Sequence, residues 1–391
     1  MSPIKRPARE AAVLRRIDVV VAIHQVSPVG GQERVAMAQL RDMADLGLRV
    51  ICITGHYDGP KHKNLTLVKL PIPRRPAPVT IVTFWLLATP LCWLFRSVFR
   101  ARVQTHGFIV GCRVDLVTAH FCHREFARSM GYTNRAQGSS RIARANTRLA
   151  DFLQELLEAR VIRHGRHGYI AAVSSGLASS IQSIYGITET ECGAIPNGVD
   201  LNRCAETDRV ETRAKLGIPD SVLVAVFVGG DWARKGLSIV IEAIVAAGPS
   251  WALLVVGSGP QDEYVQAKDC TANVHFVGQQ ANVHVFLEAA DVYITASAYE
   301  AFSLALLEAA SAGLPLLATR THGAAEFIAD GKNGFLVERS ALAIASRLQR
   351  LEKDCMLRLE MGAAARQSAV EALTWPQNTV RTLSALGVDF Q

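Results

Sequence analysis

Short runs of apolar residues alternate with longer segments of helical periodicity along this chain of 391 residues. Strands that are apolar on both faces and alternate with helices predict parallel sheets covered by helices on both sides. The predicted strands are residues 19–24, 49–54, 115–120, 169–175, 222–230, 252–259, 273–278, 291–297 and 314–319.

The strands fall into two sets, and residues 195–200 (IPNGVD) lie between them. Proline, asparagine and glycine in so short a segment are typical of a linker. We therefore expect an α/β protein of two doubly wound, Rossmann-like domains. The predicted units are a basic N-terminal extension (1–16), a first domain (17–196), a second domain (197–373) and a C-terminal helix (374–391).

Charge is distributed unevenly between the two halves, although the net formal charge is +7. Residues 1–198 hold 26 Lys and Arg against 13 Asp and Glu, whereas residues 199–391 hold 16 against 22. This asymmetry favours an anionic partner for the first half, such as an anionic membrane surface, or else it is ordinary solvated surface charge. The sequence has no basic motif interleaved with aromatic residues, so we do not expect nucleic acid to bind.

The eight cysteines are scattered, without a C-x-x-C pair or a cluster with histidine. This pattern argues against a zinc site and a disulfide framework, and it favours a protein of the reducing cytoplasm. The basic N-terminus precedes an apolar run, IDVVVAIHQ, that includes Asp18 and His24. Because this run is short and polar for a signal peptide, we interpret it as the first strand.

Residues 79–95 (VTIVTFWLLATPLCWLF) form an uncharged stretch between basic flanks. A core helix, an interfacial helix with Trp85 and Trp93 at a membrane surface, and a spanning helix all fit this composition. Pro90 interrupts the stretch, and a span would place parts of the first sheet on opposite sides of a membrane. The core and interfacial interpretations are therefore favoured.

Two loops at the carboxyl ends of predicted strands have features that bind anions, and ligands of open parallel sheets bind at this edge. Gly30 and Gly31 open a helix, where backbone N–H groups approach an anion closely. Arg234 and Lys235 precede a helix that we expect to begin near Gly236, and cations at a helix N-terminus are unfavourable without an anion. A phosphate would satisfy both side chains, although two surface cations are the simpler alternative.

Two glutamates stand out in the otherwise apolar stretch 297–319. Glu300 follows a predicted strand, and eight helical residues would place Glu308 about 12 Å further on. A carboxylate in an apolar helix is costly without polar partners, which indicates a ligand for Glu308, whereas Glu300 also fits charge compensation at a helix N-terminus. His120 ends a strand of the first half, where it either points into a cleft or is a packing residue.

Taken together, these motifs resemble the retaining GT-B glycosyltransferases of family 4. The resemblance extends from Gly30–Gly31 through Arg234–Lys235–Gly236 to EAFSLALLEAASAGLPLLAT (300–319). Its most specific part is the pair of glutamates with seven residues between them, and THGAAEFIADGKNGFLV (321–337) adds a further acid, Glu326. The family implies two Rossmann-like domains that face each other across a cleft, and a last helix that crosses back onto the first domain.

The resemblance implies a role for each of these residues in a nucleotide-sugar site. Glu308 would hold the ribose, while Arg234 and Lys235 would hold the diphosphate. Glu300 would lie against the donor sugar, and His120 would line the sugar site from the other domain, so these two and the basic pair form the catalytic set. The other implied donor-binding residues are Gly30, Gly31, Gly278, Phe302, Ser303 and Leu304.

The chain departs from the family pattern at Ala301 and Ser303, where glycine is common, and this alters the backbone approach to the sugar. The sequence contains no D-x-D motif. This fits a diphosphate that is neutralised by Arg and Lys rather than by a metal, so we expect neither a cofactor nor a metal ion.

We therefore expect a retaining hexosyltransferase that moves a sugar from a nucleotide-diphosphate donor to a glycan or polyprenyl-linked acceptor of the envelope or an exopolysaccharide. Its expected location is the cytoplasm, either free or peripheral on the inner face of the cytoplasmic membrane. The alternative on the same architecture is a nucleotide-sugar 2-epimerase, which requires acid and base groups that the sequence does not reveal. A dehydrogenase is disfavoured, because GSG (257–259) is only a fragment of a dinucleotide fingerprint.

Overall fold

The computed structural model describes residues 17–130, 141–201, 209–266, 273–372 and 374–388. The extension predicted at 1–16 lies outside these residues, as do Cys204 and Cys270. Within them, the chain forms two large parallel sheets, so the predicted α/β class with two doubly wound halves is confirmed.

Seven parallel strands form the first sheet. They are β1 (Val19–Ala22), β3 (Val50–Thr54), β5 (Leu65–Lys69), β6 (Arg102–His106), β7 (Leu116–Ala119), β8 (Tyr169–Ala172) and β9 (Cys192–Ala194). Their order is β5-β3-β1-β6-β7-β8-β9. β1 pairs with β3 on one side and with β6 on the other, so the direction in which strands are added reverses at β1. A separate two-stranded ladder joins β2 (Gln25–Val26) to β4 (His56–Tyr57).

Helices cover both faces of the first sheet. They are α1 (Gly31–Asp45), α2 (Ala77–Ser97), α3 (His123–Met130), α4 (Arg141–Arg163) and α5 (Ser175–Tyr185). Successive residues of β1 enter different apolar clusters, since Val20 packs with α2, α4 and α5 and Val21 packs with α1. This alternation explains why the strand is apolar throughout.

The second sheet has six parallel strands in the order β12-β11-β10-β13-β14-β15. They are β10 (Leu223–Val228), β11 (Trp251–Val256), β12 (Val274–Gly278), β13 (Val292–Thr295), β14 (Leu316–Thr319) and β15 (Gly334–Val337). The helices of this half are α6 (Arg209–Lys215), α7 (Trp232–Lys235), α8 (Leu237–Ala247), α9 (Gln261–Gln266), α10 (His284–Glu288), α11 (Leu304–Ser311), α12 (His322–Phe327), α13 (Ala341–Lys353) and α14 (Cys355–Glu371).

The last helix, α15 (Trp375–Leu386), packs against α1, β6 and β8 of the first sheet rather than against the second. Thr374 begins it with a capping box, in which its hydroxyl and the Gln377 side chain satisfy each other's backbone N–H groups. Leu383 and Leu386 then enter the same apolar cluster as Val21. The chain end is thereby attached to the half in which the chain begins.

The uncharged stretch at 79–95 lies in α2, which has one buried face and one exposed face. Phe84, Ala88 and Cys92 are buried against the first sheet. Leu86 and Trp93 are 57% and 56% exposed. By length and composition α2 could cross a membrane, and it is the one such helix in the described residues, with 22% of its apolar window buried. The buried face agrees with the core interpretation, and the interfacial interpretation stays a prediction.

Candidate active site

The candidate site lies at the carboxyl ends of the strands, where the loops after β10 and β13 meet. These two strands are neighbours in the second sheet, so the segments that leave them run side by side. The backbone N–H of Ala296 donates to the carbonyl of Lys235 (3.1 Å), and that of Ala298 donates to the carbonyl of Arg234 (2.9 Å). Adjacent strand positions therefore bring the basic pair to the loop that carries Glu300.

Arg234 and Lys235 end the short helix α7 and precede the longer helix α8, which begins at Leu237, close to the start at Gly236 that the sequence predicted. Gly236, with φ of 74°, separates α7 from α8. Asp231 precedes α7 in a left-handed conformation, and its Oδ2 accepts from Arg234 Nε at 2.8 Å. The two cations thus lie ahead of the α8 N-terminus, so their charge has to be balanced by other groups.

The Glu300 carboxylate supplies that balance. Its Oε2 lies 3.0 Å from Lys235 Nζ and 3.2 Å from Arg234 Nη1, and its side chain is 19% exposed. Arg234 Nη1 also donates to the Tyr299 carbonyl at 2.6 Å. The three side chains that the sequence assigned to the sugar and the diphosphate therefore form one cluster.

The charges of this cluster determine its protonation. Burial alone would raise the pKa of Glu300, but the adjacent Lys235 and Arg234 lower that pKa to about 2. Burial lowers the pKa of Arg234, whereas Glu300 and Asp231 outweigh it and raise that pKa above its ordinary value. Glu300 is accordingly an ionised carboxylate at neutral pH, and it can accept hydrogen bonds or stabilise positive charge.

Glu308 lies in the second turn of α11 and is only 7% exposed. The Arg34 guanidinium of α1 forms two hydrogen bonds to it, with Nη1 at 3.3 Å from Oε2 and Nη2 bonded to Oε1. This ion pair joins the two halves of the molecule and offsets the cost of burying the carboxylate. Sequence reasoning missed Arg34, although it lies three residues after Gly31 on the helix predicted to face an anion.

The predicted glycines adopt conformations that suit close approach of a ligand. Gly30 precedes α1 with φ of 99°, and a Cβ there would meet the Glu33 carboxylate. A Cβ on Gly31 would meet no protein atom within 4 Å, so this first residue of α1 borders open space. Gly278 ends β12 with φ of 70°, and its carbonyl accepts from the Gly257 N–H at 2.8 Å. Both loops lie at the ligand-binding edge of their sheets.

Phe302, Ser303 and Leu304 form the entry to α11. The Ser303 side chain caps this helix by accepting from the Leu306 N–H. Phe302 and Ala301 pack against the apolar cluster of the first sheet, so the segment between the two glutamates bridges both halves. The N–H groups of the first turn of α11 therefore lie in the region where the halves meet.

His120 follows β7 and pairs with a second histidine, His106, at the end of the neighbouring strand β6. His106 Nδ1 lies 3.0 Å from His120 Nε2. Burial lowers the pKa of His120 to about 3, and burial together with His120 lowers the pKa of His106 well below its usual range. Both imidazoles are thus neutral at pH 7. His106 was not predicted from the sequence.

The residues that follow His120 form hydrogen bonds to Tyr299, which precedes Glu300 in the second half. The Tyr299 hydroxyl accepts from the Cys122 N–H at 3.3 Å and donates to Glu125 Oε2 at 2.9 Å. Glu125 Oε2 also lies 2.9 Å from His322 Nε2. Burial would raise the pKa of Glu125, but His322 and the other hydrogen-bond donors lower it overall. Sequence reasoning did not single out this contact between the halves.

Glu326 makes a further contact between the halves. Its carboxylate accepts from the N–H groups of Ser175 (3.0 Å) and Gly176 (2.6 Å) at the start of α5. A carboxylate at a helix N-terminus satisfies free backbone donors and the helix dipole together. In the part of the chain that the structure describes, no group of three or more His, Cys, Asp or Glu side chains is placed to hold a metal ion.

Two family models match adjacent parts of this chain. The model described as Glycosyltransferase Family 4 matches residues 29–203, which include the first sheet, Arg34 and His120. The model described as Glycosyl transferases group 1 matches residues 208–368, which include Arg234, Glu300 and Glu308. The chain belongs to glycosyltransferase family 4.

Solved structures show that this family 4 glycosyltransferase has the GT-B fold. WaaG, a glycosyltransferase involved in lipopolysaccharide biosynthesis, aligns with a TM-score of 0.78 at 22% identity over 94% of this chain and 100% of WaaG. HepE of Anabaena, solved with UDP and glucose, aligns with a TM-score of 0.69 at 16% identity over 95% and 99% of the two chains.

Sequence relatives cover less of the chain. The lipopolysaccharide core biosynthesis glycosyltransferase LpsE of Rhizobium meliloti is 30% identical over 46% of this chain and 53% of its own length. The N-acetyl-alpha-D-glucosaminyl L-malate synthase of Bacillus anthracis is 28% identical over 52% of this chain and 55% of its own. The chain spans about half the length of the curated relatives it matches. These relatives give no support to the epimerase alternative.

Proposed function

We propose that this protein transfers a sugar from a nucleotide-diphosphate donor to an acceptor of the cell envelope or an exopolysaccharide, with retention of the anomeric configuration and without a bound metal ion. The observation that carries the proposal is the cluster of Glu300 with Arg234 and Lys235 at the ligand-binding edge of the second sheet. A diphosphate is an anion of the size and charge that such a basic pair binds.

The donor diphosphate takes the place of Glu300 as the partner of Arg234 and Lys235. The two cations then stabilise the charge that grows on the leaving diphosphate. Glu300, which stays ionised, orients the sugar hydroxyls and stabilises positive charge at the anomeric carbon. Glu308 binds the ribose, and the open space before Gly31 admits a phosphate to the N–H groups of α1.

The catalytic step breaks the bond between the anomeric carbon and the diphosphate oxygen, and it forms a bond from that carbon to the acceptor hydroxyl. In a retaining transfer the acceptor approaches from the face that the diphosphate leaves. The departing diphosphate oxygen accepts the acceptor proton, which balances the reaction without a protein nucleophile. His120 lines the sugar site from the first domain.

The relatives support the donor and acceptor classes. HepE was solved in complex with UDP-glucose, and LpsE is named for lipopolysaccharide core biosynthesis. The phosphatidyl-myo-inositol mannosyltransferase of Mycobacterium tuberculosis is 31% identical over 46% of this chain. We propose a glycan or polyprenyl-linked acceptor for this protein, in keeping with the envelope roles that these names describe.

An anionic membrane surface is the proposed partner of the outer face of α2 and α4. Leu86 and Trp93 on α2 and Phe152 on α4 are more than half exposed, and an apolar groove of about 450 Å³ runs between the two helices. Arg160 and Arg163 line this groove beside its apolar residues. Exposed aromatic and aliphatic side chains with basic neighbours are typical of interfacial helices. We therefore propose a cytoplasmic protein that is peripheral on the inner face of the membrane.

Transfer is tested with purified protein, a panel of UDP-, GDP- and ADP-sugars, and acceptor lipids or glycans extracted from envelope. A bound donor stabilises the folded state by mass action, so a thermal shift first identifies the donor. NMR of the product then reports the anomeric configuration, and addition of EDTA tests the metal independence. Inversion, or loss of activity with EDTA that Mg²⁺ restores, contradicts the corresponding part of the proposal. Conversion of a donor without an acceptor would favour an epimerase.

A further inference from the structure

A continuous chain of buried polar side chains links His120 to the segment between the two sheets. It runs from His120 through His106, Gln104 and Gln39 to Asn378 of α15, which donates to the Pro196 carbonyl. Gln104 and His106 are 0% exposed, Gln39 is 1% exposed and Asn378 is 2% exposed. The proposed nucleotide-sugar chemistry uses only the first of these residues, so the other members require an explanation.

The Pro196 carbonyl determines the direction of every hydrogen bond in this chain. A carbonyl only accepts, so the Nδ2 amide group of Asn378 must face it, at 2.7 Å. Oδ1 of Asn378 then faces Gln39, whose Nε2 donates to it at 2.7 Å. Oε1 of Gln39 in turn accepts from Gln104 Nε2 at 2.8 Å.

A hydroxyl on α15 supports the same direction. The Thr382 Oγ1 donates to the Asn378 carbonyl at 2.8 Å, so it can only accept from Gln39 Nε2, which lies 3.1 Å away. Gln39 must therefore present its amide N–H₂ to α15 and its oxygen to Gln104. Two independent acceptors thus give the same orientation of Gln39.

The orientation of Gln104 determines the protonated nitrogen of each histidine. Its Nε2 faces His106 Nε2 at 3.4 Å while it donates to Gln39 and to Thr118 Oγ1. These two bonds use both hydrogens of the amide, and an amide nitrogen does not accept hydrogen bonds, so a hydrogen on His106 Nε2 would point at Gln104 Nε2 without an acceptor and the bare nitrogen is favoured. Since His106 is neutral, its proton is on Nδ1, which donates to His120 Nε2 at 3.0 Å. His120 is left with its proton on Nδ1.

We propose that α15 acts through Asn378, Gln39, Gln104 and His106 to hold His120 in the tautomer with Nδ1 protonated. Among the described residues, none hydrogen-bonds His120 Nδ1, so this N–H is the group that the imidazole can present to a substrate oxygen. Asn378 and His106 are then positioning residues, because they act through His120. Only the catalytic consequence rests on the proposed function, whereas the tautomer is a property of the free protein.

The test is the ¹⁵N spectrum of the histidine side chains in the full-length protein, which distinguishes protonated from bare ring nitrogens. We expect Nδ1–H for both His106 and His120 at pH 7. Asn378→Leu removes the first link and is expected to give His120 a mixture of both tautomers. In the transferase assay the same variant should lower kcat by about tenfold while the donor KM changes little.

Thr379→Val is the matched control, because Thr379 is a buried neighbour on the same helix. Its hydroxyl donates to Asp42 Oδ2 at 3.2 Å and takes no part in the chain. We expect this variant to keep the wild-type ¹⁵N pattern even where it unfolds at a lower temperature. Equal changes in both variants would overturn the proposal, because they would indicate a general loosening of α15.

Gln104→Glu gives a second and opposite test. It places an acceptor against His106 Nε2, so that both histidines are expected to move their protons to Nε2. A wild-type His120 protonated on Nε2, or an unchanged pattern in Gln104→Glu, would overturn the proposal. If the tautomers respond as expected but kcat does not, the relay stands and the proposed role of His120 in transfer is wrong.

Discussion

Arg34 and Glu308 lie 274 residues apart in the sequence and form an ion pair. This pair joins α1 of the first domain, which follows Gly30, to the second turn of α11 in the second domain. Glu308 was predicted to hold a ribose, and its position beside a cation from the other domain gives it a second role. The carboxylate that we propose binds the ribose therefore also connects the two halves. If Glu308 binds the ribose as proposed, we expect donor entry and the contact between the domains to be coupled at this residue.

Replacement of Arg34 tests the structural part of that coupling. Arg34→Gln leaves a mostly buried carboxylate without its cation, and we expect the free energy of unfolding to fall by about 2–3 kcal/mol. The measurement is urea unfolding at pH 7. Arg41→Gln on the same helix is the control, since Arg41 is 51% exposed beside Asp42 and its loss should cost less than about 1 kcal/mol. Equal losses of stability in the two variants would contradict the stabilising role of the Arg34–Glu308 ion pair.

The low pKa of Glu300 makes stability depend on pH in a defined direction. Its pKa is lowered from an ordinary 4.5 to about 2 in the folded protein, so the stabilisation is complete above about pH 4.5 and is lost as pH falls towards 2. We expect the difference in unfolding free energy between wild type and Glu300→Gln to shrink by about 2 kcal/mol from pH 6 to pH 3. A difference that is constant over this range would contradict the pairing with Lys235.

Glu300→Gln also tests the proposed chemistry. The amide keeps the shape of the side chain but removes the negative charge that would stabilise a positive anomeric carbon, so kcat should fall by a factor on the order of 10². The readout is transfer rate at saturating donor, with a thermal-shift measurement to verify folding. Full activity of a folded Glu300→Gln protein would exclude this role.

Lys235→Met is expected to weaken nucleoside-diphosphate binding and to lower kcat by a factor on the order of 10². Its ammonium lies 3.0 Å from Glu300, where the diphosphate is proposed to bind. Calorimetric titration with UDP or GDP measures the first effect. Lys332→Met, on an exposed turn of the same domain, is the control and should bind nucleotide like the wild type.

Gly31 provides a test that separates binding from stability. A Cβ there meets no protein atom, so Gly31→Ala should fold with unchanged or slightly higher stability. If a phosphate occupies that space, the methyl group should cost about tenfold in donor affinity, the value of one charge-assisted hydrogen bond. An unaltered donor affinity in Gly31→Ala would place the phosphate elsewhere.

The outer face of α2 is tested with anionic vesicles. The double variant Leu86→Ser and Trp93→Ser removes two exposed apolar side chains, and we expect at least a tenfold loss of binding to vesicles that contain phosphatidylglycerol. The control is Leu342→Ser with Leu359→Ser, which removes similarly exposed leucines from α13 and α14 of the other domain. Equal losses in both variants, or no binding by the wild type, would contradict membrane docking through α2.

The apolar pattern predicted the central strands well, because strands buried on both faces are apolar at every position. It missed β5, β6, β9 and β15 for different physical reasons. β5 is an edge strand whose residues are partly buried or exposed, and β9 and β15 have only three and four residues. β6 is central, yet its sequence is RVQTH, and Gln104 is buried within it because its amide donates to Gln39 of α1 and to Thr118 of β7.

The amino-acid sequence by itself determined the family, the two parallel sheets and the positions of Glu300, Glu308 and the basic pair, because each depends on spacing within a short segment. Only the tertiary structure decided the partners of those residues. Arg34 reaches Glu308, and Asn378 reaches Gln39, because α15 crosses back and the halves meet at the carboxyl ends of their strands. Hydrogen bonds between residues hundreds of positions apart leave no periodic pattern in one sequence, so folding alone reveals which buried polar group satisfies another.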